Sequence, residues 1–166
     1  VGTGKRVGKT ALTIFISRIL LENGFDPVTI SMGRGGPSKP EYMDNKNFTN
    51  PLEKLLEIVN SGGHGASDHL EVAVLGDVPT IGCRRCGGGM AGNPFFSNVL
   101  NGVEEVNKTS HDIVVVDGSA STLPPVKTDK RILIIGADRS LDSITGYFGD
   151  YRIRSSDLAV ITKCKD

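Results

Sequence analysis

No run of apolar residues in this chain of 166 is long enough to cross a bilayer as a helix, and no signal-peptide pattern opens the sequence. That leaves no candidate for a membrane-spanning helix, and the cytoplasm is the expected location. Net charge is lacking too: 19 Lys and Arg balance 19 Asp and Glu, giving +0. Without a global basic field, neither nucleic acid nor an anionic membrane is an expected partner, and a polyanion would have to be met by local clusters of Lys and Arg. Three cysteines in an α/β-patterned sequence do not suggest a disulfide scaffold. Internal repeats are absent. Apolar residues make up 38%, at the low end for a globular protein, yet the length suits one domain with a real core.

Glycine is what the chain has in excess. Its 21 glycines cluster in a few segments, which favours backbone-lined ligand loops over low complexity. The first cluster, Gly2-Thr3-Gly4-Lys5-Arg6-Val7-Gly8-Lys9-Thr10, is the strongest signal. Consecutive N–H groups in such a loop cradle phosphate oxygens, and the following helix adds the positive end of its dipole. Lys9 is expected to reach the β- and γ-phosphates and Thr10 to bind Mg²⁺. The set Gly2, Thr3, Gly4, Lys5, Arg6, Val7, Gly8, Lys9, Thr10 and Ala11 is the candidate ATP-binding loop. Its spacing puts Thr3 where the general motif has its first glycine, and G-T-x-x-x-V-G-K-T is how dethiobiotin synthetase and its relatives begin.

Such a loop normally follows a buried strand, so Val1 reads as an internal point of a longer protein whose central strand is missing here. On that reading the fragment is expected to fold poorly alone. Periodicity predicts helices over 9–23, with Gly24 as its left-handed end, and over 51–60, with Asn50 as N-cap. Further helices are expected over 67–75, with Ser67 as N-cap, and over 98–107. The first should be apolar on most sides and packed inside the domain. Strands are expected over 27–32, 79–83, 112–116, 131–136 and 158–162, the last three with β-branched runs that suit burial on both faces. The class is α/β: a three-layer P-loop domain with a mainly parallel sheet.

Asp117 ends the run Ile113-Val114-Val115-Val116 and is the candidate acidic partner of the loop, holding Mg²⁺ directly or through water. Two further loops set arginine amid glycine: Gly33-Arg34-Gly35-Gly36-Pro37 and Gly82-Cys83-Arg84-Arg85-Cys86-Gly87-Gly88-Gly89. Bidentate donors beside bare N–H groups suit phosphate or carboxylate. Between them lie His64, Ser67, Asp68 and His69, candidates for substrate binding, with polar capping as the commoner use of such residues. Cys83 and Cys86 form C-x-x-C, but a closed zinc site needs four ligands and only Cys164 remains as a third thiol. In Gly146-Tyr147-Phe148-Gly149-Asp150-Tyr151-Arg152, core packing is expected of Tyr147 and Phe148, and Arg152 is a further candidate anion contact.

The segments V-G-T-G-K-R-V-G-K-T, M-G-R-G-G-P, A-S-D-H-L-E, V-P-T-I-G-C-R-R-C-G-G-G-M-A-G and G-Y-F-G-x-Y-R, in this order, resemble the cyclic 2,3-diphosphoglycerate synthetase family. The resemblance implies a cytoplasmic, ATP- and Mg²⁺-dependent ligase that closes an intramolecular phosphoanhydride in 2,3-diphosphoglycerate and releases ADP and phosphate. It implies catalytic roles for Lys9, Arg84, Arg85 and Asp117, and substrate contacts for Arg34, His64, Ser67, Asp68, His69, Arg84, Arg85 and Arg152. The family's proteins are longer than this chain, and a homodimer stays open. Two departures stand out: Asp117-Gly118-Ser119-Ala120-Ser121 where Glu-Gly-Ser-Gly-Ala is expected, and His64-Gly65-Ala66 for His-Ala-Ala. The alternatives are a kinase acting on 2-phosphoglycerate or a similar small phosphorylated acid, and a P-loop metallochaperone or regulatory NTPase using Cys83 and Cys86.

Overall fold

The computed structural model describes residues 1–44, 51–62, 67–88, 92–120 and 122–165. In chain order the elements are α1 (Lys9–Glu22), β1 (Pro27–Gly33), β2 (Glu41–Met43), α2 (Pro51–Asn60), α3 (Asp68–Gly76), β3 (Thr80–Cys86) and β4 (Phe96–Ser97). They continue with α4 (Val99–Val106), β5 (Ile113–Asp117), β6 (Ile132–Gly136), α5 (Leu141–Thr145), α6 (Gly149–Arg154) and β7 (Leu158–Thr162).

β1 is the centre of the larger sheet, parallel to β3 on one side and to β5 on the other, in the order β2-β3-β1-β5. The registers set Gly33 level with Arg84 and Ser31 level with Asp117. Three strands therefore end together, and the carboxyl ends of parallel strands are where open α/β sheets bind ligands. β2 and β4 join β3 antiparallel. They are three and two residues long, too short to carry a readable alternation. β6 and β7 make a second parallel pair. The chain's first residues run along β6: the Thr3 amide donates to the Ile134 carbonyl, and the Ile134 amide to that of Val1, both at 2.9 Å.

Three layers result. Val28, Ile30 and Met32 of β1 pack with Ile81 and Cys83 of β3 against Val99 and Val106 of α4. On the opposite face Ser17 of α1 meets Thr29 of β1, with their hydroxyls 3.5 Å apart, and His69 of α3 lies on Gly82. Every residue of β1 is buried, as a central parallel strand requires.

Two expectations of burial fail. In α1 the buried positions are Thr13 and Ser17, while Phe15 stands 59% exposed and Ile19 40%. Its inner face meets β1, β5 and α3, and no element among the described residues covers the outer one. β5 and β7 are likewise only partly covered, with Val114, Leu158 and Ile161 exposed. The reason at β5 is a cavity of about 650 Å³ between β5 and β6, walled by Ile113–Val116, Ile132 and Ile134, roofed by Leu12, Ile16 and Leu20 of α1, and floored by Val103 and Val106 of α4. It passes through the plane of the sheet, so β5 and β6 leave their facing edges unpaired with each other. Asn50, the expected N-cap of α2, lies outside the described residues.

Candidate active site

The glycine-rich segment from Gly2 to Gly8 wraps over the start of α1, with Arg6 and Gly8 both in the left-handed region at φ 57° and 90°. Its carbonyls are tethered from distant parts of the chain. Arg139 Nη2, beyond β6, donates to the Lys5 carbonyl at 2.8 Å, and Thr162 Oγ1, at the end of β7, donates to that of Val7 at 2.8 Å. A trans peptide points its N–H opposite to its C=O, so the amides of Arg6 and Gly8 face away from these tethers. Lys9 folds its ammonium back onto the Gly4 carbonyl at 2.8 Å. Burial lowers its pKa, while Asp117 and Asp68 pull the other way.

The hydroxyl of Thr10 donates to Asp117 Oδ2 at 3.5 Å. The expected acidic partner is thus brought to the loop from the end of β5. Asp117 is buried, and burial first, then the charge of Asp68, lifts its pKa to about 7 against the pull of Lys9 and Thr10. Asp68 opens α3, is exposed, and sets its carboxylate against Gly33 at the end of β1. Among the described residues no group of three or more His, Cys, Asp or Glu side chains could hold a metal by itself. A divalent cation here would take Thr10, Asp117 and oxygens from phosphate and water, the ligand set a hard cation such as Mg²⁺ prefers. The residues fit that ion.

Arg84 and Arg85, adjacent on β3, leave the strand on opposite faces. Arg84 Nε donates to the Gly36 carbonyl, and its backbone amide donates to Asn98 Oδ1 at 2.7 Å. The Asn98 amide in turn donates to Pro37 and Ser38, both at 3.1 Å, so the loop after β1 is laced to the end of β3. Gly36 is obligatory in this seam, since a Cβ there would lie 2.0 Å from the Cys83 carbonyl oxygen. Arg85 is buried and donates to the Ser119 hydroxyl just past Asp117, and to the Gly87 carbonyl at 3.2 Å. Its pKa is lowered by burial and then by the exposed Arg34 nearby. The two arginines therefore belong to different loops and do not form a single clamp.

The remaining candidates scatter. Ser67 holds the N-cap position of α3, where its carbonyl accepts from the Leu70 amide at 3.0 Å without a side-chain cap bond. His69 is buried with its ring on Gly82, and burial lowers its pKa. His64 lies outside the described residues. Arg152 is buried, and its Nη1 donates to the carbonyls of Gly2 at 3.1 Å and Ala120 at 2.7 Å. Of the two aromatics expected in the core, Phe148 is packed but Tyr147 is 83% exposed, because the turn before α6 points it outward. Cys83 and Cys86, an odd number of residues apart on one strand, face opposite sides; Cys83 is in the core with its thiol pushed up to about 11 by burial, and Cys86 is exposed. Arg139 escaped sequence reasoning. Its only signal is Gly136-Ala137-Asp138-Arg139 following an apolar strand, the same grammar as Gly33-Arg34 after β1.

A family model described as the P-loop domain of cyclic 2,3-diphosphoglycerate synthetase matches residues 1–166, the whole chain. The chain belongs to the cyclic 2,3-diphosphoglycerate synthetase family. Among curated relatives of that name, one from Rubrobacter xylanophilus is 46% identical over 166 residues, covering all of this chain and 38% of that protein. One from Methanothermus fervidus is 43% identical over 166 residues, again all of this chain and 36% of its own length. One from Thermococcus onnurineus is 48% identical over 162 residues, 98% of this chain and 37% of that protein. The chain thus spans little more than a third of the curated relatives it matches. As the family's P-loop domain it uses a nucleotide, and its α/β fold with a mostly parallel sheet is the one the sequence implies. Among the described residues, no helix is long and apolar enough to cross a membrane.

Proposed function

We propose that this domain binds ATP with Mg²⁺ and that the complete, cytoplasmic protein closes the phosphoanhydride ring of cyclic 2,3-diphosphoglycerate. The observation that carries it is the Thr10–Asp117 contact at the mouth of the glycine loop, with Arg34, Arg84 and Arg85 at neighbouring strand ends. Lys9 and the loop amides would hold the triphosphate, Thr10 and Asp117 would hold Mg²⁺, and Asp68 would join them through water. Mg²⁺ supplies neutralising charge on the transferred phosphoryl group. An oxygen of one substrate phosphate attacks the γ-phosphorus and ADP leaves. The second substrate phosphate then attacks the first, closing the ring and releasing inorganic phosphate. Neither step needs much proton transfer; the difficulty is to hold several mutually repelling phosphates in line, which is work for Lys9, Arg34, Arg84 and Arg85.

The family name carried by the relatives supports the cyclising ligase over a simple kinase. Incubating the complete protein with ATP, Mg²⁺ and 2,3-diphosphoglycerate and following phosphorus NMR tests it. Cyclic product with one ADP and one phosphate per turnover is expected. ADP with a phosphorylated linear product and no free phosphate would establish the kinase instead.

The cavity between β5 and β6 is proposed to receive an apolar strand from the rest of the polypeptide, continuing the parallel run that Val1–Thr3 makes along β6. The support is the shape of the cavity and the greater length of the relatives. A cooperative melt of the 166-residue chain at the temperature of the complete protein would argue against it.

A further inference from the structure

The side chain of Arg152 joins parts of the site that no backbone pairing connects. It comes from α6, yet one nitrogen, Nη1, donates to the Gly2 carbonyl where the glycine loop begins and to the Ala120 carbonyl three residues beyond Asp117. Among the described residues no carboxylate pairs with it, and burial depresses its pKa. A buried cation met only by neutral carbonyls is a costly way to pack a protein, and an apolar side chain would fill the space more cheaply. Its guanidinium lies 5.5 Å from the centroid of the Phe148 ring. Phe148 itself sits at φ 68°, a strained position for a non-glycine residue, and its ring presses on Gly92, where a Cβ would come within 2.4 Å of the ring's Cζ. Gly92 in turn accepts from the Leu123 amide at 3.0 Å, in the segment that follows β5.

We propose that Arg152 is a positioning residue: it fixes the start of the glycine loop against the loop after Asp117, and through Phe148 ties both to the far end of the glycine-rich segment that follows Arg85. It touches no reacting atom. Its task is to keep the distance between the phosphate cradle and Asp117 constant while the substrates enter, because small errors in that spacing are felt strongly in the rate. This rests on the reading of the site as an ATP·Mg²⁺ site, but not on which substrate is phosphorylated.

The experiment uses the complete enzyme with Arg152→Met, Arg152→Lys and Phe148→Leu, and with Arg154→Met as control. Arg154 lies on the same helix, exposed and paired with Asp150. Steady-state constants are measured for ATP and for the phosphorylated substrate, alongside the Mg²⁺ dependence of binding of an unreactive ATP analogue. Arg152→Met is expected to lower kcat about tenfold or more. It should also raise the Mg²⁺ requirement for analogue binding, with the KM for the phosphorylated substrate little changed. Arg152→Lys, which keeps a cation with three N–H donors on a single nitrogen, should recover part of the loss. Phe148→Leu should show the same pattern more weakly, and Arg154→Met none of it. A rise confined to the KM of the phosphorylated substrate would make Arg152 a substrate contact and overturn the proposal. A lower melting temperature with unchanged constants would reduce it to packing and overturn it as well. Where the variant does not fold, Phe148→Leu and Arg152→Lys carry the test. If the wild-type enzyme makes no cyclic product, the ligase reading fails, while the analogue-binding arm still decides the role of Arg152.

Discussion

The glycine loop and the double-arginine segment are both short, glycine-rich and cationic, yet the chain builds them in opposite ways. Between Gly2 and Gly8 the ligand-facing groups are backbone amides, and side chains from far away, Arg139 and Thr162, hold the carbonyls. Between Cys83 and Gly87 the groups proposed to meet a ligand are guanidinium side chains held by backbone carbonyls, Gly36 from the loop after β1 receiving Arg84 and Gly87 of the same segment receiving Arg85. The first arrangement suits one chemical group, the proposed nucleotide phosphates. The second leaves cations whose reach depends on what the surrounding loops do, which suits a substrate bearing several phosphates.

The largest expected effect breaks the cradle side alone. Lys9→Met should lower kcat/KM by about 10²–10³-fold by removing a preorganised positive charge from the transferred phosphoryl group. A loss below tenfold would show that the backbone amides suffice without it.

Asp117 sharpens the comparison through pH. Its pKa of about 7, against 3.8 for an ordinary Asp, means the folded chain binds one more proton than the unfolded chain between those values. Without metal, stability therefore falls as pH rises from about 4 to about 7 and then levels off. Asp117→Asn should melt a few degrees higher than the wild type at pH 8, and the gap should close below pH 4. Because Mg²⁺ must displace that proton, its affinity in the wild type should climb between pH 6 and pH 8. Melting curves at pH 3.5 and pH 8 and calorimetry at pH 6 and pH 8, about the range that the raised pKa spans, check both; a pH-independent gap would place the charge of Asp117 elsewhere.

On the arginine side the backbone seam comes next. Gly36→Ala should destabilise the chain by about 1–3 kcal/mol, since the new methyl group meets the Cys83 carbonyl and neither strand end can yield freely. Urea unfolding measures it, and a neutral result would show that the loop after β1 is looser than its contacts imply. The smallest effect is Cys86→Ala, within about 0.5 kcal/mol and without loss of activity, because the thiol is exposed on the face opposite Cys83. Loss of a bound metal on that change would revive a metallochaperone role.

The two regions also differ in how far the sequence revealed them. The cradle was legible because its spacing is dictated by backbone geometry, which a string of residues records directly. Asp117 was legible because an apolar run ending in a carboxylate encodes both burial and position. What escaped was anything set by tertiary approach. Arg139 reaches the loop across 134 residues of sequence, and its one local mark, a glycine and an arginine after an apolar strand, does not say what it meets. Arg152 was expected as a further anion contact, and its carbonyl partners Gly2 and Ala120, chosen by the fold, carry no mark in the sequence. Likewise the pattern of α1 speaks of burial on most sides, but among the described residues Phe15 and Ile19 stand exposed. Hydrophobic spacing states what a segment could bury, and the neighbours decide what it does bury.

The division of labour between cradle and arginines is tested most directly by titrating an unreactive ATP analogue with Mg²⁺ into the complete enzyme and two variants. Arg34→Ala, at an exposed position, should bind it within about twofold of the wild type, while Lys9→Met should bind about tenfold or more weakly, the loss of one charge-assisted contact. Equal weakening in both variants would contradict the account, since the arginine loop would then be part of the nucleotide site and not a separate place for the substrate.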